Sequence, residues 1–387
     1  MKRMAPSISA AEVGPGGERR GLDGNAWVVC RYRKPAGGRA LRWQRKDRHP
    51  ETTVAKTLAV ASTFLNKPSA FSEILDACDS RRLRAPEQRS VQRLSPSRNL
   101  YGHCTEKGRR PYQEDRHFAV AWTDSDGRRN HAVAVLDGHG GDATSQLAAE
   151  MLPGIIAAQV DGIDLSLPAN VARINSRIIK AFWLFHAHAH ADPGRRHVTT
   201  GTTATVCLWK SESNVVWCAY VGDSEALLTI GPDHPDYCRP IELTPQTHKV
   251  ARDAQETKRI RKMGAYFYND ESYVSIGRDG SGLAITRSLG DVDSWKGSNP
   301  ATVKVTDYVV SPVPYVVRAE MPHPQSTVVI ASDGLWDYMK LTEACAMVSA
   351  HDGRSLNELA CAMARASLDR GSRDNVTVLV FRPRDFE

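Results

Sequence analysis

The sequence feature that most constrains the fold is an apolar run that stops at a carboxylate, residues 133–141, which read VAVLDGHGG. Valine and leucine favour a strand that is covered on both faces, and the glycines after it permit close backbone approach. Asp137 is a candidate metal ligand or proton acceptor, His139 titrates near neutral pH, and the carbonyl of Gly138 is a hard oxygen donor. The same residues also suit a plain turn, so their meaning depends on partners elsewhere in the chain.

Four other segments place carboxylates at the ends of predicted strands. These carboxylates are Glu114, Asp115, Asp223, Asp333 and Asp374. A single acid in such a position is usually a turn residue or a helix cap, but five strand ends, counting the one at Asp137, favour a shared site. Arg110 lies just before the first pair of acids, and an arginine can hold a phosphate with two parallel hydrogen bonds.

The residue types in this set indicate the chemistry. Oxygen ligands without clusters of Cys or His suit Mg²⁺ or Mn²⁺, which keep several waters and use few protein carboxylates. Two such ions lower the pKa of a water between them and provide hydroxide for in-line attack on phosphorus. Arg110 is then the candidate phosphate ligand, and His139 the candidate acid for the leaving alkoxide. No cysteine lies in a phosphate-cradle pattern, so a phosphocysteine intermediate is not expected.

Short runs rich in Val, Ile and Ala alternate with turn signals after residue 101 and predict strands. They lie at 118–122, 132–136, 202–208, 215–220, 226–230, 327–331 and 375–381. Apolar residues at helical spacing predict core-facing helices over 171–185 and 356–363. Strands in groups with helices inserted between them, rather than in strict alternation, predict an α+β domain with antiparallel sheets.

Residues 1–99 differ in composition from the rest of the chain. They lack sustained periodicity and are rich in Arg, Lys, Pro, Ser and Gly, which predicts a basic, mostly disordered N-terminal extension ahead of a folded domain over 100–387. Basic residues around Trp27, Tyr32 and Trp43 suit contact with nucleic acid or an acidic surface. A solvated tail is the simpler interpretation and is preferred.

The composition of the whole chain limits where it acts. The 387 residues are 41% hydrophobic and 25% charged with a net charge of +7, and no apolar run is long enough to cross a bilayer. Eight scattered cysteines without a CxxC pair argue for reduced thiols and against a zinc site. We therefore expect an intracellular protein of the cytoplasm or nucleus. The start has no secretory signal, whereas an organelle transit peptide stays open because the first acid is Glu12.

Taken together, these motifs resemble those of one family. The chain is similar to the metal-dependent serine/threonine protein phosphatases of the protein phosphatase 2C type. The matching segments occur in family order between Tyr101 and Arg382: RPYQED, VLDGHGG, GTTATV, VGDSEA, LTPQTHK, LAITRSLGD, ASDGLWD and RDNVTVLV. The resemblance implies an α+β fold in which an antiparallel β-sandwich is flanked by helix pairs, with a binuclear metal centre at one end of the sandwich.

The resemblance also implies how two Mg²⁺ or Mn²⁺ ions would be held. Asp137 would bridge both ions, and Gly138 would give its carbonyl to one of them. Asp333 and Asp374 would bind the ion opposite. The expected reaction is hydrolysis of phosphoserine and phosphothreonine in proteins by direct attack of a metal-bridging water or hydroxide, carried out by a monomeric signalling enzyme.

Further roles implied by the resemblance fall on the remaining motif residues. Glu114 and Asp115 would bind metal directly or through bound water, and Asp223 would contribute to a weaker third metal position. Arg110 would bind phosphate, and His139 would act as general acid. The alternative is a catalytically inactive relative that serves as a binding scaffold. Because all of these residues are present, an active enzyme is favoured.

Several positions depart from the family pattern or have a plainer interpretation. Glu225 and Thr247 stand where the family usually has Arg and Asp, which concerns substrate approach rather than metal ligands.

Asp337 is either a helix N-cap or a ligand of metal-bound water. Arg287 and Asp291 are expected to form an internal ion pair or a turn rather than to be catalytic. Residues 250–282 fall where the family has its flap, and the basic cluster at 258–262 predicts a preference for acidic sequences around a phosphosite.

Overall fold

A computed structural model describes residues 87–95, 100–192, 194, 196–230, 239–250, 252–275, 282–297, 304–351 and 355–386. It also describes the backbone of three earlier strands, β1 (Glu18–Arg20), β2 (Ala26–Arg33) and β3 (Arg39–Arg45), which form an antiparallel sheet in that order. The sequence analysis predicted no strand in this basic segment. Strands and helices are numbered in chain order.

Two antiparallel sheets form the centre of the fold. The first has the spatial order β18 (Tyr315–Glu320), β11 (Val215–Val221), β10 (Ala204–Lys210), β7 (Arg129–Leu136), β6 (Arg116–Thr123) and β4 (Gln92–Arg93). The second has the order β13 (Ile241–Glu242), β12 (Glu225–Leu228), β19 (Val328–Ala331), β20 (Val376–Phe381) and β5 (Tyr101–Glu106). The antiparallel α+β fold expected from the sequence is confirmed.

Strand β7 shows how the apolar runs are used. Val133 and Val135 point into the core between the two sheets, where they join Ile330 and Leu379 of the second sheet. The alternate residues of β7, including Leu136, point to the other side and join the core beneath the helices. Because successive side chains of a strand face opposite ways, a strand covered on both faces is apolar throughout.

Helices cover the outer face of each sheet. The first sheet lies under α1 (Ala143–Gln159) and α2 (Val171–His190), with side chains such as Leu152 and Phe182 in the shared core. The second sheet lies under the short α4 (Asp333–Trp336), α5 (Leu341–Ala350) and α6 (Leu356–Asp369). The result is a four-layered sandwich with helices outside and sheets inside.

A smaller unit lies in the chain between strands β13 and β19 of the second sheet. It contains α3 (Ala254–Lys262) and a sheet of β14 (Phe267–Tyr268), β15 (Tyr273–Ser275) and β16 (Gly282–Leu283) around its own small core. A last sheet consists of β8 (Gly138–His139), β9 (Gly201–Thr202) and β17 (Leu289–Gly290). Short 3₁₀ turns occur at Pro168–Asn170, Val292–Ser294, Val305–Asp307 and Pro383–Asp385.

Residues 87–95 lie on the folded domain although the sequence analysis assigned them to the extension. Strand β4 pairs with β6, and Val91 and Leu94 pack against the two central cores. The Arg93 guanidinium donates a hydrogen bond to the carbonyl of Ala149 at 2.8 Å. At least one arginine of this basic segment therefore contacts the domain directly. Among the helices that the structure describes, none is long and apolar enough to span a membrane.

Candidate active site

The predicted carboxylates meet at one end of the sandwich, where several strands begin or end. Asp137 follows β7, Asp333 follows β19, and Asp374 precedes β20. Asp137 is partly buried, and desolvation together with the negative charges of Asp115, Asp333, Asp223 and Asp374 raises the pKa of its carboxyl well above the usual value. Five acids that are distant in sequence are thus neighbours in space.

The pKa values of the Asp115 and Asp333 carboxyls are also raised. Asp115 is only 2% exposed, and burial raises its pKa to about 6. One carboxyl oxygen of Asp115 accepts a hydrogen bond from Ser332 Oγ at 2.9 Å, while its Oδ1 has no hydrogen-bond partner among the described residues. Burial and the neighbouring charge of Asp223 raise the pKa of Asp333 to about 7. So many acids in one partly buried cluster disfavour one another unless positive charge lies nearby, because their negative charges repel.

The loop before β6 is held against the tip of β7. The backbone N–H of Glu114 donates to Asn375 Oδ1 at 2.8 Å, and its carbonyl accepts from Ser145 Oγ at 2.6 Å. A Cβ on Gly138 would overlap this carbonyl of Glu114, so only glycine lets the two segments approach so closely. Glycine at this position is therefore explained by packing as well as by its exposed carbonyl.

Arg110 lies at the outer rim of the cluster. Its Nη2 is 2.6 Å from Asp374 Oδ2, and the two side chains are 55% and 36% exposed. A guanidinium has five N–H donors, so this ion pair leaves most of them available to an anion from solvent. Arg110 is thus tied to a candidate metal ligand by an ion pair and is still accessible to solvent.

Lys249 is a member of the site that the sequence analysis did not identify. Its Nζ lies 2.7 Å from Asp337 Oδ1, 3.3 Å from Asp333 Oδ2 and 3.5 Å from Asp223 Oδ2. Burial alone would lower the pKa of Lys249, but the charges of these acids raise it above the usual value. Asp337 is the C-terminal cap residue of α4, so its interpretation as a helix N-cap is wrong.

His139 has a partner that the sequence analysis expected to be only structural. Its Nε2 is 2.8 Å from Oδ2 of Asp291, which is fully buried. Burial would lower the pKa of His139, but Asp291 raises it above the usual value. Arg287, by contrast, forms an internal ion pair whose partner is Glu256 of α3 at 2.8 Å, a residue that the sequence analysis did not name. A Gly-Asp step after a short apolar segment, as in the other motifs, was the available signal for Asp291.

Glu225 stands beside the cluster at the start of β12. Burial raises its pKa to about 7, while the nearby Lys249 charge opposes that rise. Its backbone carbonyl accepts a hydrogen bond from the Trp336 indole at 3.1 Å. The residue therefore adds a further acid, rather than the usual cation, to this side of the site.

The described residues do not contain three or more His, Cys, Asp or Glu side chains arranged as a complete coordination set. The donor set nevertheless fits Mg²⁺ or Mn²⁺. All donors are oxygens, Asp137 itself is surrounded by acids whose charges raise its pKa, and one buried oxygen of Asp115 has no partner among the described residues. Because Mg²⁺ keeps several waters and binds few carboxylates, it does not need an all-protein cage.

Comparisons with known proteins agree with one another. Residues 99–376 match the model of the family described as protein phosphatase 2C. The chain is 26% identical over 334 residues to protein phosphatase 2C 57 of Arabidopsis thaliana, covering 78% of this chain and 79% of that protein. It is 27% identical over 288 residues to protein phosphatase 1A of Homo sapiens, covering 72% and 69%.

Solved structures show the same fold. A serine-threonine phosphatase 2C from Toxoplasma gondii aligns with a TM-score of 0.56 at 18% identity, covering 77% of this chain and 97% of that one. A second phosphatase from Toxoplasma gondii aligns with a TM-score of 0.57 at 22% identity, covering 73% and 92%. The family match spans most of the described domain, including every acid of the carboxylate cluster. The chain belongs to the protein phosphatase 2C family.

Proposed function

We propose that the chain hydrolyses phosphoserine and phosphothreonine in proteins, by metal-dependent direct attack of water on phosphorus. The observation that carries this proposal is the partly buried cluster of acids around Asp137 in a chain of the protein phosphatase 2C family. Arg110 and His139 flank the cluster, one accessible at the rim and one fixed by Asp291. A binding scaffold would have no need to retain a cluster of mutually repelling acids, because such a cluster costs folding stability in the absence of cations.

Mg²⁺ or Mn²⁺ would be held by the acids of the cluster and the carbonyl of Gly138. The assigned ligands are Asp137, Gly138, Glu114, Asp115, Asp333 and Asp374 for two ions, with Asp223 at a weaker third position. When bound, such ions polarise water and neutralise phosphate charge. The crowding of Asp137 by four other acids supports this assignment, because a divalent cation is the group that would relieve it.

The protein groups then bind the ester and handle its protons. Arg110 would hold the phosphate oxygens with the N–H donors that Asp374 does not use. His139 would give a proton to the serine or threonine oxygen as the phosphorus–oxygen bond breaks. Each role needs a side chain that is held in place but still reachable, and the His139 side chain is 24% exposed.

The same proposal covers setting and partners. The substrates would be intracellular phosphoproteins of signalling pathways, and the enzyme would act as a monomer. Apart from residues 87–95, which pack on the domain, the basic N-terminal extension would be a solvated segment rather than a nucleic-acid or membrane contact. Among the described cysteines, Cys104, Cys207 and Cys218 are buried and form no disulfide, which supports a reducing compartment. The exposed part of the basic cluster on α3 would favour acidic sequences around the phosphosite.

The decisive experiment is phosphate release from a phosphoserine peptide by the full chain. We expect turnover with Mg²⁺ or Mn²⁺, none with EDTA, and a loss of at least about 100-fold in kcat for Asp137→Asn. Asp369→Asn is the matched control, since Asp369 is an exposed acid at the end of α6 that is not one of the assigned ligands. Absence of metal-dependent turnover in a correctly folded wild-type chain would leave the scaffold function as the better account.

A further inference from the structure

The smallest sheet of the fold carries an arrangement that neither the motifs nor the family match assigns. In this sheet β9 lies between β8 and β17, so that His139 pairs with Gly201 and Gly201 pairs with Gly290. Asp291 directly follows β17. The sheet therefore places His139 and Asp291 on either side of one glycine, although they are 152 residues apart in sequence.

Asp291 is held rigidly at this point. Its carboxylate is fully buried, its Oδ2 accepts a hydrogen bond from Ser288 Oγ, and its backbone N–H donates to the carbonyl of Thr200 at 3.1 Å. Its backbone lies in the left-handed region with a φ of 49°, a conformation that residues other than glycine rarely adopt. Such strain persists where the surrounding structure enforces it, and it is concentrated at functional sites.

Gly201 provides the space for the contact. A Cβ at this position would overlap both Oδ2 of Asp291 and Nε2 of His139. The backbone angles of Gly201 are not of the kind that only glycine adopts, so conformation alone does not explain the residue. The first glycine of the GTTATV motif is therefore explained by the room that the two side chains need.

We propose that Asp291 is a positioning residue for catalysis, which fixes the ring of His139 through its Nε2–H and leaves Nδ1 as the nitrogen that serves the substrate. This inference rests on the proposed phosphatase function and deepens it. Asp291 itself touches neither substrate nor reacting atoms. It acts by holding one tautomer and one ring orientation, as second partners of functional histidines do in general.

The proton balance of the step is simple. Oxygen of the attacking water forms a bond to phosphorus, and the bond from phosphorus to the serine oxygen breaks with its electron pair. The proton on Nδ1 of His139 goes to that oxygen, so that serine leaves as a neutral alcohol. The water loses an equivalent proton, which restores His139, and Nε2–H stays bound to Asp291 throughout.

The test compares two substrates that differ in their need for a proton. The serine oxygen of a phosphoserine peptide is a poor leaving group as an alkoxide and needs a proton. The leaving group of p-nitrophenyl phosphate is a stable phenolate that needs no acid. We expect Asp291→Ala to lower kcat for the peptide by about 100-fold with little change in KM, and to affect the aryl phosphate far less. Asp291→Asn, which keeps an accepting oxygen, should recover part of the loss, and Gly201→Ala should reproduce it.

Further variants separate this inference from the proposed function. His139→Ala should show the same substrate pattern, and adding Asp291→Ala to it should cost nothing more, since residues that act as a unit are non-additive. Asp369→Asn is the control, and thermal melting confirms folding of every variant. Equal losses on both substrates, or additive losses in the double variant, would overturn the positioning role. No metal-dependent turnover of either substrate by the wild-type chain would instead refute the phosphatase function.

Discussion

Replacing Lys249 by methionine removes the ammonium that lies among three acids and keeps a side chain of similar length. Lys249 is 17% exposed, and its partners Asp333 and Asp337 are 25% and 45% exposed, so the ion pairs are only partly buried. Removing one member of a buried charge set costs about 3–5 kcal/mol, and solvent screening at Asp337 reduces this to about 2–3 kcal/mol. We therefore expect the melting temperature in EDTA to fall by about 3–6 °C.

Divalent cations should restore much of that loss, because they supply positive charge to the same acids. The rise in melting temperature on adding millimolar Mg²⁺ should be larger for Lys249→Met than for the wild-type chain. Lys210→Met is the matched control. Lys210 lies at the end of β10 remote from the site, and its Nζ is 3.0 Å from Oδ2 of one acid, Asp164. It should cost less than about 1 kcal/mol and leave the response to Mg²⁺ unchanged. Equal melting temperatures of Lys249→Met and wild type in EDTA, or equal responses to Mg²⁺, would refute the reasoning.

Three further predictions address other parts of the fold. Burial lowers the pKa of His186 to about 3, so stability should be full above pH 6.5 and decline as the pH falls below it, because only the unfolded chain then takes up the proton. His186→Phe should remove about 2 kcal/mol of that loss at pH 5, measured by urea unfolding at pH 5 and 8, and an unchanged pH dependence would contradict it. Glu256→Gln should destabilise the α3 unit through its unpaired Arg287, whereas the double variant with Arg287→Met should be closer to wild type, and additive losses in a double-mutant cycle would show that the pair is not coupled. Arg259 and Arg261 are already paired with Glu256 and Glu271, so reversing the exposed Lys258 and Lys262 to Glu should lower the preference for acidic over basic phosphopeptides by about 3–10-fold in kcat/KM at low salt, and an unchanged ratio would refute a role of this cluster in substrate choice.

The sequence was most informative where apolar periodicity and strand ends coincide. All seven predicted strands are present, because each is a short, mostly apolar run that the sandwich buries on both faces. Strands β5 and β18 were missed, since the first is rich in polar residues and the second follows two prolines. Helix α1 was missed because Pro153 and Gly154 interrupt a helix whose residues are buried on several sides, so no helical periodicity marks it.

The candidate site could be predicted only as far as its local patterns reach. Each acid at a strand end was identifiable from the sequence, but which acids share a cation is decided by the packing of distant strands. Lys249 and Asp291 show this limit. Lys249 is 84 residues from its partner Asp333, and Asp291 is 152 residues from its partner His139. Neither spacing nor residue type indicates such pairings, which depend on how the strands are ordered in the sheets.

The most direct test of the central claim is a calorimetric titration of the full chain with Mn²⁺, starting from metal-free protein. The account predicts binding of two ions to the wild-type chain and to Asp369→Asn, and loss of that binding in Asp137→Asn, whose side chain lies at the centre of the acids. Unchanged Mn²⁺ binding by a folded Asp137→Asn variant would contradict the metal centre proposed at this end of the sandwich.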